Sequence, residues 1–396
     1  ADGAYLGSDL ENGQIRFEIA GVRGRVSAEA VTLVPLSQAG NLSCYTLHSG
    51  RLVHQLRESL SSSRYSTMID LGEAPVALQS YSTLYSYDGH YFYEDAAVML
   101  QDAQDGSTAS SVNPSEPFYF YYQYLPHRSL TWISAEQLES YFQDTLGIDK
   151  TITTYRDRDR NSVHDTLNQS LYYQQASAFF EAQHLYGSNA MMMLALSMNE
   201  TASGRSSLSF TRNNLFGHAA YDSDVEANAR RYFQLSGSIL AHAKSYVSGS
   251  YLNPSKFQYH GGFFGDKASG MNVSYASDPY WGEKAASYYM KVDEALGSQD
   301  RDRLALGLHT EYESLAVMQQ PSASSSVLYT TGKSAPLSFV LLEKVENEEG
   351  TWYKIQSEAA LAEDYSYRFE ECVGYLPASA FQLIMGADKM GSLSYQ

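Results

Sequence analysis

Glu200 is the residue whose setting in this chain most directly implies chemistry. It follows the apolar run Ala190-Met-Met-Met-Leu-Ala-Leu-Ser-Met198 and Asn199, and it precedes small residues and a turn at Gly204. Such a run reads as a buried helix, so the glutamate leaves that helix at its C-terminal end. Desolvation raises a carboxyl pKa, and the negative end of the helix dipole acts in the same direction. A carboxylic acid kept protonated near neutral pH in a cleft is a general acid, the group that cleavage of a glycosidic bond requires. Close behind it comes Asn213-Asn214-Leu-Phe216-Gly217-His-Ala-Ala-Tyr221. Its asparagines either hydrogen-bond sugar hydroxyls and amides or close a turn on local backbone. Phe216, with Tyr280 and Trp281 further on, is a candidate stacking platform for sugar rings. Trp281 at a helix start reads equally as core.

The pattern turns helical from Ser134, where Ser134-Ala-Glu-Gln137 has the form of a capping box. An amphipathic segment over about 168–186 follows, then Ser188 as cap of the Met-rich helix, then helices over 224–248 and 279–297. Upstream, 41–105 alternates short aromatic strands with polar turns, and Asp88-Gly89 between tyrosine-rich stretches predicts a hairpin. Residues 104–117 read as a linker, and Phe118-Tyr-Phe-Tyr-Tyr-Gln-Tyr124 as a strand leading into the first helix. The two ends echo each other: Gly24-Arg-Val-Ser-Ala-Glu-Ala-Val-Thr-Leu-Val34 aligns without gaps on Gly374-Tyr-Leu-Pro-Ala-Ser-Ala-Phe-Gln-Leu-Ile384. Each reads as a strand, a short turn and a closing strand. Gly350-Thr-Trp352-Tyr-Lys-Ile355 alternates as a half-buried strand should.

At 396 residues, the chain predicts two to four domains, and 43% hydrophobic content supports packed cores. A formal net charge of −18 argues against a general nucleic-acid-binding surface. The 33 tyrosines against 3 tryptophans supply flat rings with polar tips, suited to sugars or to β-structure. Cys44 and Cys372 are the only cysteines, which fits a bacterial secreted protein that does without disulfides and leaves one long-range bridge open. No apolar run has membrane-spanning length. The ten histidines form no HExxH and have no paired cysteines beside them, which argues against a zinc enzyme. Asp157-Arg-Asp159-Arg-Asn161 opens like a calcium loop, but Ser162 and Asn168 stand where glycine and glutamate are needed.

Taken with Glu200, the asparagine turn and Ser274-Tyr275-Ala-Ser-Asp278-Pro-Tyr280-Trp281, the stretch 150–298 resembles the glucosaminidase domain of glycoside hydrolase family 73. The long run Gly265 to Lys284 is most similar to the cell-separation type of that family. The ends resemble bacterial SH3-like (SH3b) barrels, complete over roughly 315–386 and partial at the N-terminus. The chain departs from the type by this C-terminal module, and by Asn199 where a histidine often precedes the acid.

The resemblance implies an α+β multidomain protein, with a mostly helical, lysozyme-like catalytic domain flanked by small all-β SH3-like modules. The expected boundaries are 1–38 (partial SH3b-like), 39–117 (aromatic β module and linker), 118–300 (catalytic) and 312–396 (SH3b-like). It implies an endo-β-N-acetylglucosaminidase acting on peptidoglycan, with Glu200 at the general-acid position and Tyr275 across the cleft. Tyr275 would orient water, hydrogen-bond the 2-acetamido group, or wall the subsite. Glu226 and Asp224 are the candidates for a second carboxylate, unless the substrate's own acetamido group serves as nucleophile. No metal or cofactor is expected, and the partners would be glycan strands, met by a monomer outside a Gram-positive cell. The partial N-terminal module implies a longer parent chain. Rival readings are a muramidase or lytic transglycosylase on a similar fold, and a non-catalytic wall-binding protein.

Overall fold

The computed structural model describes residues 2–61, 64–153, 168–218, 230–360 and 362–390. The chain is α+β and forms two compact units. The first comprises Ala1–Phe120, Asp266–Ala268 and Ala276–Glu283; the second comprises Tyr121–Gly265, Ser269–Tyr275 and Lys284–Gln396. The calcium-like stretch at Asp157 lies outside the described residues.

In the first unit, β1 (Ala4–Asp9), β2 (Gln14–Ile19) and β3 (Val22–Ser27) make an antiparallel sheet in sequence order. A second antiparallel sheet runs β6-β5-β4-β7, from β4 (Cys44–His48), β5 (Arg51–Leu56), β6 (Thr67–Glu73) and β7 (Thr83–Leu84). Leu52, Ile69, Leu71, Leu84 and Phe92 are buried in this unit. The Asp88-Gly89 turn is present: Asp88 Oδ1 accepts from the Ser86 hydroxyl at 2.9 Å and from the His90 and Tyr91 amides at 2.8 and 3.0 Å. Beyond it, Tyr85 and Tyr93 exchange backbone bonds at 2.8 and 2.9 Å, and this single pair is the extent of the hairpin. Residues expected as strand near 100 form helix α1 (Ala96–Asp105) instead. Asp95 caps its N-terminus, accepting from Ala97 N and Val98 N, and Gly106 at φ 70° ends it.

The second unit holds the remaining helices and the C-terminal sheet. Phe118–Tyr124 is not a strand; it leads into the short helix α2 (Tyr121–Tyr124), whose tyrosines 121, 122 and 124 are buried. The Ser134–Gln137 capping box is fully formed and starts α3 (Ala135–Ser140). Helix α4 (Ala176–Tyr186) begins later than its amphipathic pattern implied. Helix α5 (Ala190–Thr201) is the apolar helix, with every residue from Ala190 to Met198 buried. A helix apolar on all faces has to be central. Its cap is Asn189, one residue beyond the expected Ser188: the Asn189 side chain accepts from Met191 N and Met192 N at 2.9 and 3.0 Å. Then follow α6 (Ser207–Arg212) and α7 (Leu235–Ala241), the latter widening into a π-helical stretch over His242–Tyr251, and α8 (Asn272–Tyr275). Helix α9 (Trp281–Ala295) starts two residues beyond the expected Pro279, and its first turn, Trp281–Glu283, belongs to the first unit.

Strands β8 (Ala305–His309), β9 (Ala316–Met318), β10 (Val327–Thr330), β11 (Leu337–Asn347), β12 (Gly350–Gln356), β13 (Val373–Pro377) and β14 (Leu383–Met385) make one antiparallel sheet, ordered β10-β9-β13-β12-β11-β8-β14. Its core gathers Val317, Leu337, Phe339, Leu341, Ile355 and Leu376. The sheet thus begins at Ala305, ahead of the residue 312 expected from sequence. In the echo between the ends, β3 and β13 each run into one 3-10 turn, Ala28–Ala30 and Ala378–Ala380. Only the second copy has the closing strand, because β14 pairs with β8 (Leu383 with Leu308), whereas 31–34 forms no strand. Cys44 and Cys372 are both buried free thiols.

Buried polar groups join this sheet to the helices. Arg128 Nε donates to Glu358 O at 2.9 Å, Nη1 donates to Tyr186 O at 2.5 Å, and the guanidinium lies 4.0 Å over the Tyr367 ring. The Glu358 carboxylate accepts from Gly262 N at 2.6 Å and from the Tyr259 hydroxyl. Burial pushes the Glu358 carboxyl up to about 7, while its hydrogen bonds and the Arg128 charge pull the other way.

Candidate active site

Glu200 is the penultimate residue of α5, and the chain turns sharply after it. Ala202 (φ 49°), Ser203 (φ 58°) and Gly204 (φ 73°) are all left-handed. Two non-glycine residues in that region cost on the order of 1–3 kcal/mol each and persist only where the surroundings enforce them. Thr201 supplies the enforcement: its hydroxyl donates to Ser197 O at 2.5 Å and accepts from Gly204 N at 2.9 Å, while its carbonyl accepts from the Arg205 and Ser206 amides at 2.9 and 3.0 Å. Sharp termination leaves Glu200 exposed, not desolvated as the apolar approach implied. The apolar face stops at Met198.

The asparagine turn stands against this carboxylate. Gly217 has φ 62°, and a Cβ built on it would sit 3.8 Å from Glu200 Oε2. Asn213, itself left-handed at φ 50°, ends α6, and its amide donates to the carbonyls of Tyr232 and Phe233 at 3.1 and 3.4 Å. Asn214 is fully buried. Its Nδ2 donates to His218 O and Arg230 O at 3.0 and 3.1 Å, and its Oδ1 accepts from the Phe216 and His218 amides at 3.3 and 3.1 Å. With all four hydrogen-bonding positions filled by backbone, Asn214 closes the turn and has nothing left for a sugar. Phe216, expected as a platform, is 3% exposed and stacks on His242 with centroids 3.8 Å apart. Trp281 is likewise 3% exposed and belongs to core. Tyr280 meets the His54 ring edge-on within the first unit, where His54 Nδ1 also bonds Glu283 at 2.8 Å. Asp224 and Glu226 lie outside the described residues.

Tyr275, at the end of α8, donates its hydroxyl to Phe216 O at 3.2 Å, and its ring lies 5.2 Å from that of Tyr251. Burial, then the Glu200 charge, push the phenol well above its ordinary value, so Tyr275 is a donor throughout the working pH range. Glu200, Gly217 and Tyr275 therefore stand together. Packed behind the turn is an aromatic group that no sequence motif announces: buried His218, Tyr232 and His242, with half-buried Tyr246. His218 Nδ1 bonds the Tyr232 hydroxyl at 2.7 Å, and Nε2 bonds His242 Nδ1 at 3.0 Å. Its signal in sequence is the i, i+4 spacing of His242 and Tyr246 on a helix.

This assembly lies within a recognised domain: residues 176–294 match the Glucosaminidase family model, described as mannosyl-glycoprotein endo-beta-N-acetylglucosaminidase. The helical part of the chain thus contains, over 176–294, a stretch of the glucosaminidase type. Among individual proteins, it is 39% identical over 150 residues to two Streptococcus pneumoniae proteins, each named "Putative endo-beta-N-acetylglucosaminidase". The match covers 37% of this chain and 22% and 20% of theirs, so the chain spans about a fifth of their length. Similar solved structures include S. aureus Autolysin E with the disaccharide NAG-NAM (16% identity, 44% of this chain and 73% of that one, TM-score 0.30). A second is Major Bifunctional Autolysin (20% identity, 45% and 69%, TM-score 0.29).

Proposed function

We propose that the protein is an endo-β-N-acetylglucosaminidase that hydrolyses the β-1,4 bond after GlcNAc in peptidoglycan, with Glu200 as general acid. The observation that carries this is the family match over 176–294, within which Glu200 leaves a rigid buried helix and faces Gly217 and Tyr275. Glu200 protonates the leaving glycosidic oxygen as the bond breaks. Water then captures the oxocarbenium-like centre, directly or after participation of the 2-acetamido group. Tyr275 keeps its proton and holds the Phe216–Gly217 backbone opposite the acid. Asp224 and Glu226 remain the candidates for a facing carboxylate, and Asn213 for a polar contact at the rim. The flanking sheets serve as SH3-like modules that hold wall polymer, and the protein works in the wall outside a Gram-positive cell.

Digestion of purified sacculi, followed by borohydride reduction and mass spectrometry of the muropeptides, tests the reading. New reduced GlcNAc ends are expected. New MurNAc ends, or anhydro products, would replace it with muramidase or transglycosylase chemistry. Glu200→Gln should bind sacculi but lose about 100-fold or more in rate, the scale of general-acid catalysis. A Glu200→Gln variant as active as the wild type would remove this side chain from the mechanism.

A further inference from the structure

Phe216 and His218, the residues either side of Gly217, both turn into the second unit and grip one helical stretch. The Phe216 ring stacks on His242 (3.8 Å, 1°), and the His218 ring stacks on Tyr246 (3.8 Å, 4°). Residues i and i+2 of the turn thus sit on residues i and i+4 of the π-helical segment. The two imidazoles are joined edge to edge, His218 Nε2 to His242 Nδ1 at 3.0 Å, and Tyr232 closes the far side of His218 at 2.7 Å. His218 is 3% exposed and His242 fully buried. The His218 backbone is fixed too: its N and O both bond Asn214, and its O also accepts from Arg230 N at 2.9 Å. What this arrangement leaves facing outward is Gly217, whose Cα side lies against the Glu200 carboxylate.

We propose that His218 and His242 are positioning residues for the reaction: hydrogen-bonded to each other and stacked under the turn, they fix the Phe216–Gly217 backbone relative to Glu200. The inference rests on the reading of Glu200 as the acid. Burial holds the His218 imidazole down to about 3 and keeps His242 well below the usual histidine value, so the pair is neutral at working pH and acts through geometry. When the Tyr232 hydroxyl donates to His218 Nδ1, the His218 proton sits on Nε2 and points at His242 Nδ1. That chain of bonds gives the turn one position, and small displacements of a reacting group cost rate steeply.

The test uses the full chain, soluble peptidoglycan oligosaccharides and two variants. His242→Phe keeps an aromatic ring on Phe216 but removes the partner of His218 Nε2. His242→Asn loses the ring but returns a polar atom near the Nδ1 position. Circular dichroism and thermal melts establish that both are folded. The expected result is that His242→Phe loses about ten- to hundred-fold in kcat with KM changed less than about two-fold, because a positioning defect spares ground-state binding. His242→Asn should recover a large part of that loss. An unchanged kcat in His242→Phe, a rise in KM at constant kcat, or equal losses in both variants that follow their melting temperatures would each overturn the proposal. The new reducing ends made by wild type are read in the same digests. Ends other than GlcNAc would overturn the glucosaminidase reading while the comparison of variants still decides the role of the pair.

Discussion

Replacing Glu358 by glutamine isolates a titration that the fold itself creates. The carboxyl is fully enclosed at the junction of the C-terminal sheet with the helices, and burial raises it from an ordinary value of 4.5 to about 7. In the unfolded chain it ionises near the ordinary value, so between about pH 4.5 and 7 the folded state binds a proton that the unfolded state has released. Stability therefore falls as pH rises through this window and levels off above it. From about pH 5 to about pH 8 the group removes about 2–3 kcal/mol, at roughly 1.4 kcal/mol per unit of pKa difference. In a unit of this size that corresponds to roughly 4–12 °C in melting temperature. Glutamine keeps the shape and an oxygen for the Gly262 amide, and it cannot ionise. Other groups, such as Asp300 at about 6, titrate alike in both proteins and cancel in the comparison. Scanning calorimetry of both proteins at about pH 5 and about pH 8 should show that Glu358→Gln escapes this part of the alkaline loss. Equal losses in the two proteins would refute the argument that burial at this junction raises the carboxyl.

Gly187→Ala should destabilise the protein by about 2–5 kcal/mol, combining left-handed backbone cost with overpacking. Gly187 has φ 62°, and its added Cβ would collide with the Tyr367 ring; urea titration reads the change, and an unaltered midpoint would contradict the packing. Tyr275→Phe removes the bond to Phe216 O and should cost about 1 kcal/mol of stability together with a fall in kcat. Because the phenol is held well above its ordinary value, the alkaline limb of the pH–rate profile should not move in this variant. Full activity in Tyr275→Phe would reduce the residue to a wall of the subsite.

Local signals in the sequence carried well where one element decides the outcome. The Ser134–Gln137 box starts its helix, the Asp88-Gly89 turn forms, and the Ala190–Met198 run is a fully buried helix that presents Glu200. Signals that depend on tertiary competition were less legible. The cap of α5 is Asn189, because its side chain accepts from the Met191 and Met192 amides, while Ser188 is buried beside it. Asn214 and Phe216 have the residue types of a sugar site, yet backbone carbonyls and buried imidazoles claim them first. The exposure of Glu200 could not be read from its apolar approach, since the left-handed turn at Ala202 and Ser203 decides it. His218 and His242 have neither metal-ligand nor nucleophile spacing, and their partnership joins residues 24 apart in the chain.

The buried Arg128–Glu358 junction bears on how such enzymes can be recombined. A bead-like module can be moved between proteins by cutting in a linker. Here the helices contribute Arg128, Tyr259 and the Gly262 amide, while the sheet contributes Glu358 and Tyr367. A chimaera joined between α9 and β8 would inherit one half of that set: a guanidinium that keeps Tyr186 O but loses Glu358 O and the Tyr367 ring, or a carboxyl without the Tyr259 and Gly262 donors, each unfavourable where the group stays enclosed. The transplantable piece is the pair, so the C-terminal sheet and the helices of the second unit form one heritable unit.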